Sequence, residues 1–171
     1  MPDPKQPNEK QFNPRIVAFM CNWCSYTASD LAGTARIKYS PYVRIIRVMC
    51  SGRVDPTLAL KAFALGADGV MIAGCHPGDC HYIDQNYKTI RRVTMLRYFL
   101  EQMGIEGDRL RLVWASAAEG QHLAESIDQF AADVRQMGPL NWSSNWEENG
   151  QRAQALEEIV REHAEAMEVL A

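Results

Sequence analysis

Short apolar runs alternate with amphipathic stretches along the chain, and this alternation predicts a parallel α/β fold. The predicted strands, rich in β-branched and other apolar residues, are 15–20, 42–49, 68–73 and 109–115. Four helices are predicted in this part of the chain. The first covers about 29–39, the second runs from the Asp55-Pro56 cap to Gly66, the third covers 85–103, and the fourth follows a capping box at 116–119. Because strand and helix alternate four times, right-handed crossovers should bring the strands into one parallel sheet. We therefore expect a small doubly wound, flavodoxin-like α/β fold of about four strands in the order 2-1-3-4.

The chain divides into three predicted segments. Residues 1–11 are polar and proline-rich and predict a flexible lead-in, and 12–140 form the α/β domain. Residues 141–171 predict a linker and an extra C-terminal helix, whose apolar stripe is Leu156, Ile159, Val160, His163, Met167 and Leu170. Packing on the domain and contact with a partner protein explain such a stripe equally well.

Aromatic residues at strand or helical spacing are expected in the core rather than at a cofactor. Examples are Phe99, Trp114 and Phe130. The longest central helix carries its predicted apolar side on Ile90, Val93, Leu96, Leu100 and Met103.

Composition narrows the range of functions. The chain has 171 residues, a formal net charge of -3 and no basic tract, so nothing in its charge favours nucleic acid. The longest apolar runs are well below the roughly 20 residues of a membrane helix. The polar N-terminus does not resemble a signal peptide, and we expect a cytoplasmic protein with no membrane contact.

Five cysteines are the first informative chemistry: Cys21, Cys24, Cys50, Cys75 and Cys80. An odd number in a chain without an export signal argues against a disulfide framework and favours metal or redox chemistry. Each cysteine follows a predicted strand. Since the carboxyl ends of parallel strands lie at one edge of a sheet, the five thiols should converge there.

Three interpretations of the thiols remain open on the residues alone. An iron–sulfur cluster needs four thiolates, and two closely spaced pairs can each hold one iron. A zinc site also accepts four Cys, or Cys with His. A dithiol oxidoreductase would use Cys21 and Cys24, but it would leave the other three cysteines unexplained.

The surroundings predicted for this edge favour an anionic centre. The helices that follow the strands would direct their N-terminal N–H groups at the thiols. Arg53, His76 and His81 flank the same loops and could add positive charge or hydrogen bonds to the ligands. The Pro77-Gly78 pair predicts a tight turn between Cys75 and Cys80.

No catalytic constellation is evident in the sequence. The loop after the first strand is not a glycine-rich phosphate loop, and there are no paired carboxylates and no Ser-His-Asp set. A chain with a metal cluster and no substrate site is expected to be a relay rather than an enzyme in its own right.

Three motifs resemble the delta-subunit family of methyl-viologen-reducing hydrogenase over roughly residues 12–140. They are Cys21-Asn22-Trp23-Cys24-Ser25-Tyr26, Arg47-Val48-Met49-Cys50-Ser51-Gly52-Arg53-Val54-Asp55-Pro56 and Gly74-Cys75-His76-Pro77-Gly78-Asp79-Cys80-His81-Tyr82, followed by Asp84, Asn86, Tyr87 and Lys88. The resemblance implies a 2Fe-2S electron-transfer subunit that docks on the A subunit of heterodisulfide reductase. It implies electron relay from a hydrogenase, a formate dehydrogenase or a similar donor toward a flavin that bifurcates electrons.

All five cysteines match the family motifs, whereas a 2Fe-2S cluster takes four ligands. The two closely spaced pairs, Cys21 with Cys24 and Cys75 with Cys80, are the first choice. Cys50 is then the spare thiol, although it also ends a predicted strand at the same edge.

Overall fold

The computed structural model describes residues 12–142, which form a four-stranded sheet with helices on both faces. The strands and helices are β1 Ile16–Cys21, α1 Ser25–Thr34, β2 Val43–Val48, α2 Pro56–Ala64, β3 Gly69–Gly74, α3 Gln85–Gln102, β4 Leu110–Trp114 and α4 Gly120–Met137. Short 3₁₀ turns occupy Ser51–Arg53 and Gly107–Arg109. The lead-in at 1–11 and the helix at 151–170 lie outside the described residues. Within 12–142 no helix has the length and apolar character needed to cross a membrane.

The sheet is wholly parallel and has the order β2-β1-β3-β4, so the doubly wound prediction and the strand order are confirmed. Cys21 pairs in register with Val48, and Met20 with Ala73, so the first three strands end together. β3 is buried at every position. β2 is an edge strand and is partly exposed, which limits the predicted two-sided burial to the centre of the sheet.

Helices α1 and α4 pack closely over one face of the sheet. Their core side chains include Ala28, Leu123, Ile127 and Phe130, each fully buried. Gly120 permits the close approach, because a Cβ at this position would lie 3.0 Å from backbone atoms of α1. On the other face, Ile72 of β3 lies against apolar side chains of α3.

Helix α1 begins four residues earlier than predicted, directly after Cys24, and it also ends earlier, at Thr34. The Ser25 hydroxyl donates to the Ala73 carbonyl oxygen at 2.9 Å and is buried. The serine at the start of the helix is thus satisfied by the neighbouring strand. This long-range hydrogen bond leaves no signal in the local pattern.

Helix α4 begins at Gly120, after the predicted capping box rather than within it. The Glu119 carboxylate accepts a hydrogen bond from the Ser116 backbone N–H, which is one half of a capping box. No side chain caps the helix itself. The motif therefore closes a turn ahead of the helix.

The core prediction holds for Phe130, which is fully buried, and is wrong for Phe99, which is 51% exposed. Trp114 is half-buried, and Met103 is exposed. On α3 the buried face is formed by Val93, Leu96 and Leu100. Phe99 is one residue before Leu100, a rotation of about 100° away from that face.

Arg109 is the largest of the fully buried side chains among residues 12–142, and it was expected only as the first residue of a strand. Its guanidinium donates to the carbonyl oxygens of Asp68, Met137 and Gly138 and to the carboxylate of Glu106. It therefore links β3 to the end of α4 at the edge opposite the cysteines.

Candidate metal centre

Three thiols meet at the carboxyl ends of β1 and β3. Cys21 is the last residue of β1, Cys24 precedes α1, and Cys75 follows β3. Their sulfur atoms all lie within 4.8 Å of one another, and those of Cys21 and Cys75 are 3.9 Å apart. All three residues are buried. It is the one group of three or more Cys, His, Asp or Glu residues with metal-ligand spacing between residues 12 and 142.

Local chain geometry explains the close approach. β1 and β3 are neighbours in the sheet, so their last residues are adjacent although they are far apart in sequence. Gly74 precedes Cys75, and a Cβ there would lie 2.5 Å from the Ser51 hydroxyl oxygen and 3.0 Å from the Trp114 ring. A glycine is therefore needed where the chain leaves β3 toward the thiols.

Contacts among the three sulfurs shift their pKa values in opposite directions. The pKa of Cys21 is lowered to about 2, chiefly because the Cys24 thiol donates to its sulfur and secondarily because Cys75 does. The pKa values of Cys24 and Cys75 are raised, mainly because each thiol donates a hydrogen bond to the Cys21 sulfur. Three buried sulfur atoms at this spacing are a favourable site for a thiophilic cation.

Cys50 and Cys80 lie outside this three-thiol group and next to each other. Cys50 follows β2 and is buried, and burial together with the nearby Cys21 and Cys80 raises its pKa. Cys80 is half-buried and starts a tight turn, closed by a hydrogen bond from the Ile83 N–H to its carbonyl oxygen at 2.9 Å. The predicted convergence therefore takes the form of a group of three thiols with a pair beside it.

Asn86, in the first turn of α3, fixes the backbone that carries Cys75. Its side-chain amide donates to the carbonyl oxygens of Cys75, at 3.3 Å, and His76, at 2.8 Å. The residue is fully buried, and its Oδ1 has no hydrogen-bond partner among the described residues. This role was not anticipated, because it depends on the path of the loop rather than on sequence spacing.

His76, expected beside the thiols, directs its Nε2 to the Glu119 carboxylate at 2.7 Å. Glu119 also accepts the Ser116 N–H, and these two contacts, the backbone one first, lower the pKa of Glu119 to about 2. The loop between the two cysteines is thereby fastened to the start of α4.

Three side chains form an aromatic bridge across the two cysteine loops: Trp23, His81 and Tyr82. The rings of Trp23 and His81 stack at 3.9 Å, and His81 meets Tyr82 edge-on at 5.0 Å. The Trp23 Nε1–H donates to the Tyr82 hydroxyl at 3.2 Å. Sequence reasoning gave no role to Trp23 or Tyr82, although each lies close to a cysteine in its motif.

The donor set fits a thiolate-bound metal. Sulfur ligands without carboxylates select zinc or iron–sulfur clusters over magnesium or calcium. Three sulfurs are already grouped, and Cys50 and Cys80 lie on loops at the same edge of the sheet. The site can therefore hold a metal or an iron–sulfur cluster.

Comparison with known proteins agrees with this donor set. Residues 16–138 match the family described as methyl-viologen-reducing hydrogenase, delta subunit. The vhc iron-sulfur subunit of the F420-non-reducing hydrogenase of Methanococcus voltae is 49% identical over 80% of this chain and 94% of its own length. The corresponding iron-sulfur subunit of Archaeoglobus profundus is 47% identical over 78% of this chain and 97% of its own.

A second kind of relative carries the same domain inside a longer protein. This relative is the A subunit of the ferredoxin/F(420)H(2)-dependent CoB-CoM heterodisulfide reductase of Methanosarcina acetivorans, which is 45% identical over 74% of this chain. The match occupies only 16% of that protein's length. By the extent of these matches and by its three cysteine motifs, the chain belongs to the delta-subunit family of methyl-viologen-reducing hydrogenase.

Proposed function

We propose that this chain is an electron-transfer subunit of a hydrogenase–heterodisulfide reductase system. The observation that carries the proposal is the group of three buried thiols within 4.8 Å at the carboxyl edge of the sheet. Relatives that this chain matches over nearly their whole length are named hydrogenase iron-sulfur subunits, and others contain the domain within the A subunit of heterodisulfide reductase. Its partners are accordingly a hydrogenase and the heterodisulfide reductase A subunit.

The finer proposal is a single 2Fe-2S cluster held by Cys21, Cys24, Cys75 and Cys80. When bound, the cluster supplies one-electron redox chemistry. Cys80 is on the same short loop as Cys75, with the Pro77-Gly78 turn between them. Cys50 is buried behind this loop and is the proposed spare thiol.

The protein contributes position and exclusion of water. Burial of the three grouped cysteines shields the centre from solvent. Asn86 and the His76–Glu119 contact hold the second cysteine loop in place. The sequence carries no catalytic constellation, so the chain passes electrons from a hydrogenase, a formate dehydrogenase or a similar donor toward a flavin that bifurcates them in its partner.

The test is the metal content of protein purified without air. The proposal predicts about two iron and two sulfide per chain, visible absorbance that dithionite bleaches, and an EPR signal in the reduced state. Zinc in place of iron would overturn the cluster and favour a zinc-bearing adaptor. A metal-free protein that cycles between dithiol and disulfide at Cys21 and Cys24 would favour a redox module instead.

The ligand set is tested by a matched pair of serine variants at Cys50 and Cys80. We expect Cys80→Ser to lose iron or to change the EPR signal, and Cys50→Ser to keep both. The reverse result would make Cys50 the fourth ligand. Cys21→Ser, Cys24→Ser and Cys75→Ser should each abolish the cluster.

A further inference from the structure

A surface patch beside Cys50 and Cys80 combines exposed apolar side chains with basic ones. We call it the cluster-edge patch, and it consists of Met49, Arg53, His81, Tyr82, Ile83 and Lys88. These residues and Cys50 line an open cleft of about 660 Å³. The cleft thus contains the proposed spare thiol, and its His81 and Tyr82 directly follow the proposed ligand Cys80 in the chain.

Ile83 is the most unusual member of the patch. Its side chain is 85% exposed, and its backbone φ is +70°. A β-branched residue is a steric outlier in this region, and such conformations persist where the surroundings impose them, often at functional sites. The hydrogen bond from its N–H to Cys80 holds it there. A strained backbone that points an apolar side chain into solvent indicates contact with another molecule.

Two further apolar side chains extend the exposed area around Ile83. Met49 is 51% exposed and Tyr82 is 40% exposed. Single exposed apolar residues are ordinary, but a group of them beside a functional centre is typical of an interaction site. The aromatic bridge fixes the position of Tyr82.

The charged side chains that line the patch are basic, although the whole chain has a net charge of -3. Arg53 and Lys88 form no ion pair with any residue in the described part of the chain. The nearest loop carboxylate, Asp84, is not part of the lining and accepts a hydrogen bond from the Gln85 side chain. Unpaired basic groups around an apolar centre complement a partner face on which acidic groups surround an apolar area.

We propose that the cluster-edge patch is the docking surface for the A subunit of heterodisulfide reductase. On the reductase, the matching face has an apolar hollow that receives Ile83, and carboxylates surround this hollow. This inference rests on the proposed function, which names a hydrogenase and the reductase A subunit as partners. We choose the A subunit because the Methanosarcina acetivorans relative carries the same domain within its own A-subunit chain. Docking here would place the proposed cluster at the interface, with only the second cysteine loop and the aromatic bridge between the two proteins.

The test measures the affinity of the purified, iron-loaded protein for the purified reductase A subunit, at low and at high salt. We expect Lys88→Glu to weaken binding by roughly tenfold or more, and the wild-type affinity to fall as salt rises. Ile83→Gly should also weaken binding roughly tenfold, while its thermal midpoint stays equal or rises because glycine suits a positive φ. Reduced binding by an equally stable variant separates docking from folding.

Matched controls lie at the opposite end of the sheet, where α2 ends. Leu65 is 75% exposed, and Lys61 is also exposed, so Leu65→Asp and Lys61→Glu make comparable changes there. Both controls should bind the reductase like the wild type. Carbodiimide cross-linking should in addition join Lys88 to a partner carboxylate, which mass spectrometry would identify.

Binding of Lys88→Glu and Ile83→Gly with wild-type affinity would overturn the docking surface and leave the proposed function standing. Loss of binding in the two controls but not in the patch variants would assign the interface to the other edge. If the iron-loaded wild type shows no binding to the reductase at all, the proposed partner is wrong, and the docking surface with it.

Discussion

Replacing Gly74 with alanine should destabilise the fold. The loss should be the largest among those glycines whose φ is not positive and whose added Cβ would contact only side chains. The new Cβ would lie 2.5 Å from the Ser51 hydroxyl oxygen, 3.0 Å from the Ser51 Cβ and 3.0 Å from the Trp114 ring. Ser51 cannot turn away freely, because its hydroxyl accepts a hydrogen bond from Thr89 at 2.9 Å. Ser51 is therefore held in place beside the missing side chain.

The cost has two parts. Overpacking of a core position costs about 1–3 kcal/mol. Loss of the hydrogen bond between Thr89 and Ser51 adds about 0.5–1.5 kcal/mol. The expected loss of about 1.5–4.5 kcal/mol is a large fraction of the roughly 5–15 kcal/mol by which a domain is stable.

Urea denaturation under anaerobic conditions measures this loss. With a slope of about 2 kcal/mol per molar urea, the midpoint should fall by about 1–2 M. Gly33→Ala is the matched control, because no atom lies within 4 Å of a Cβ at this helical position. It should raise stability by about 0.5–1 kcal/mol.

A double variant separates the steric reason from a general intolerance at Gly74. Ser51→Ala removes the hydroxyl oxygen that is 2.5 Å away, so Gly74→Ala should cost less in its presence, by about 0.5 kcal/mol or more. An unchanged urea midpoint for Gly74→Ala, or strictly additive effects in the double variant, would refute the packing argument.

Three other changes test separate parts of the structure. Arg109→Met leaves three backbone carbonyl groups without their donor, so stability in urea should fall by about 3 kcal/mol or more, and a midpoint close to wild type would contradict the role of Arg109. Trp23→Ala removes the stacking on the second cysteine loop, so its visible absorbance should decay in air about two- to tenfold faster than that of wild type. The absorbance of Trp23→Phe should decay nearly as slowly as that of wild type. Equal decay rates for Trp23→Ala and wild type would rule out a protective role. The pKa of Glu106 is lowered because Arg109 donates a hydrogen bond to it, so its contribution to stability is present above pH 4.5 and is lost as the pH falls through the folded pKa. Glu106→Gln should therefore lose less stability than wild type between about pH 6 and about pH 3. Parallel curves of stability against pH for the two proteins would count against this pair.

The sheet could be predicted because its evidence is local and repeated. Each strand is a short apolar run, and crossover handedness leaves few ways to arrange four strand–helix units. The order 2-1-3-4 and the common edge of the cysteines followed from that, and the structure confirms the order.

The membership of the thiol group could not be predicted in the same way. A strand end fixes where a loop begins but not where the loop goes. Cys75 directly follows β3 and joins the group, whereas Cys80 is five residues farther along and lies in a turn beside Cys50. The route is set by Asn86 and by the His76–Glu119 contact, both of which act over many residues.

Side-chain direction was the other limit. The pattern on α3 shows that one face is apolar, yet Phe99 is apolar too and lies outside that face. The stacking of Trp23 on His81 joins two loops that are far apart in the chain and has no periodic signal. Such contacts depend on the assembled fold.

The position of β1 between β2 and β3 sets an order of events during biosynthesis. Cys21 and Cys75 become neighbours only when β1 and β3 pair, and the whole of β2 and α2 lies between them in the chain. A nascent chain that ends before Cys75 can present only Cys21 and Cys24 of the grouped thiols. Closing this long loop costs chain entropy, which the favourable contacts of the growing sheet must offset. A metal that requires all three grouped thiols can therefore bind only after β1 and β3 have paired.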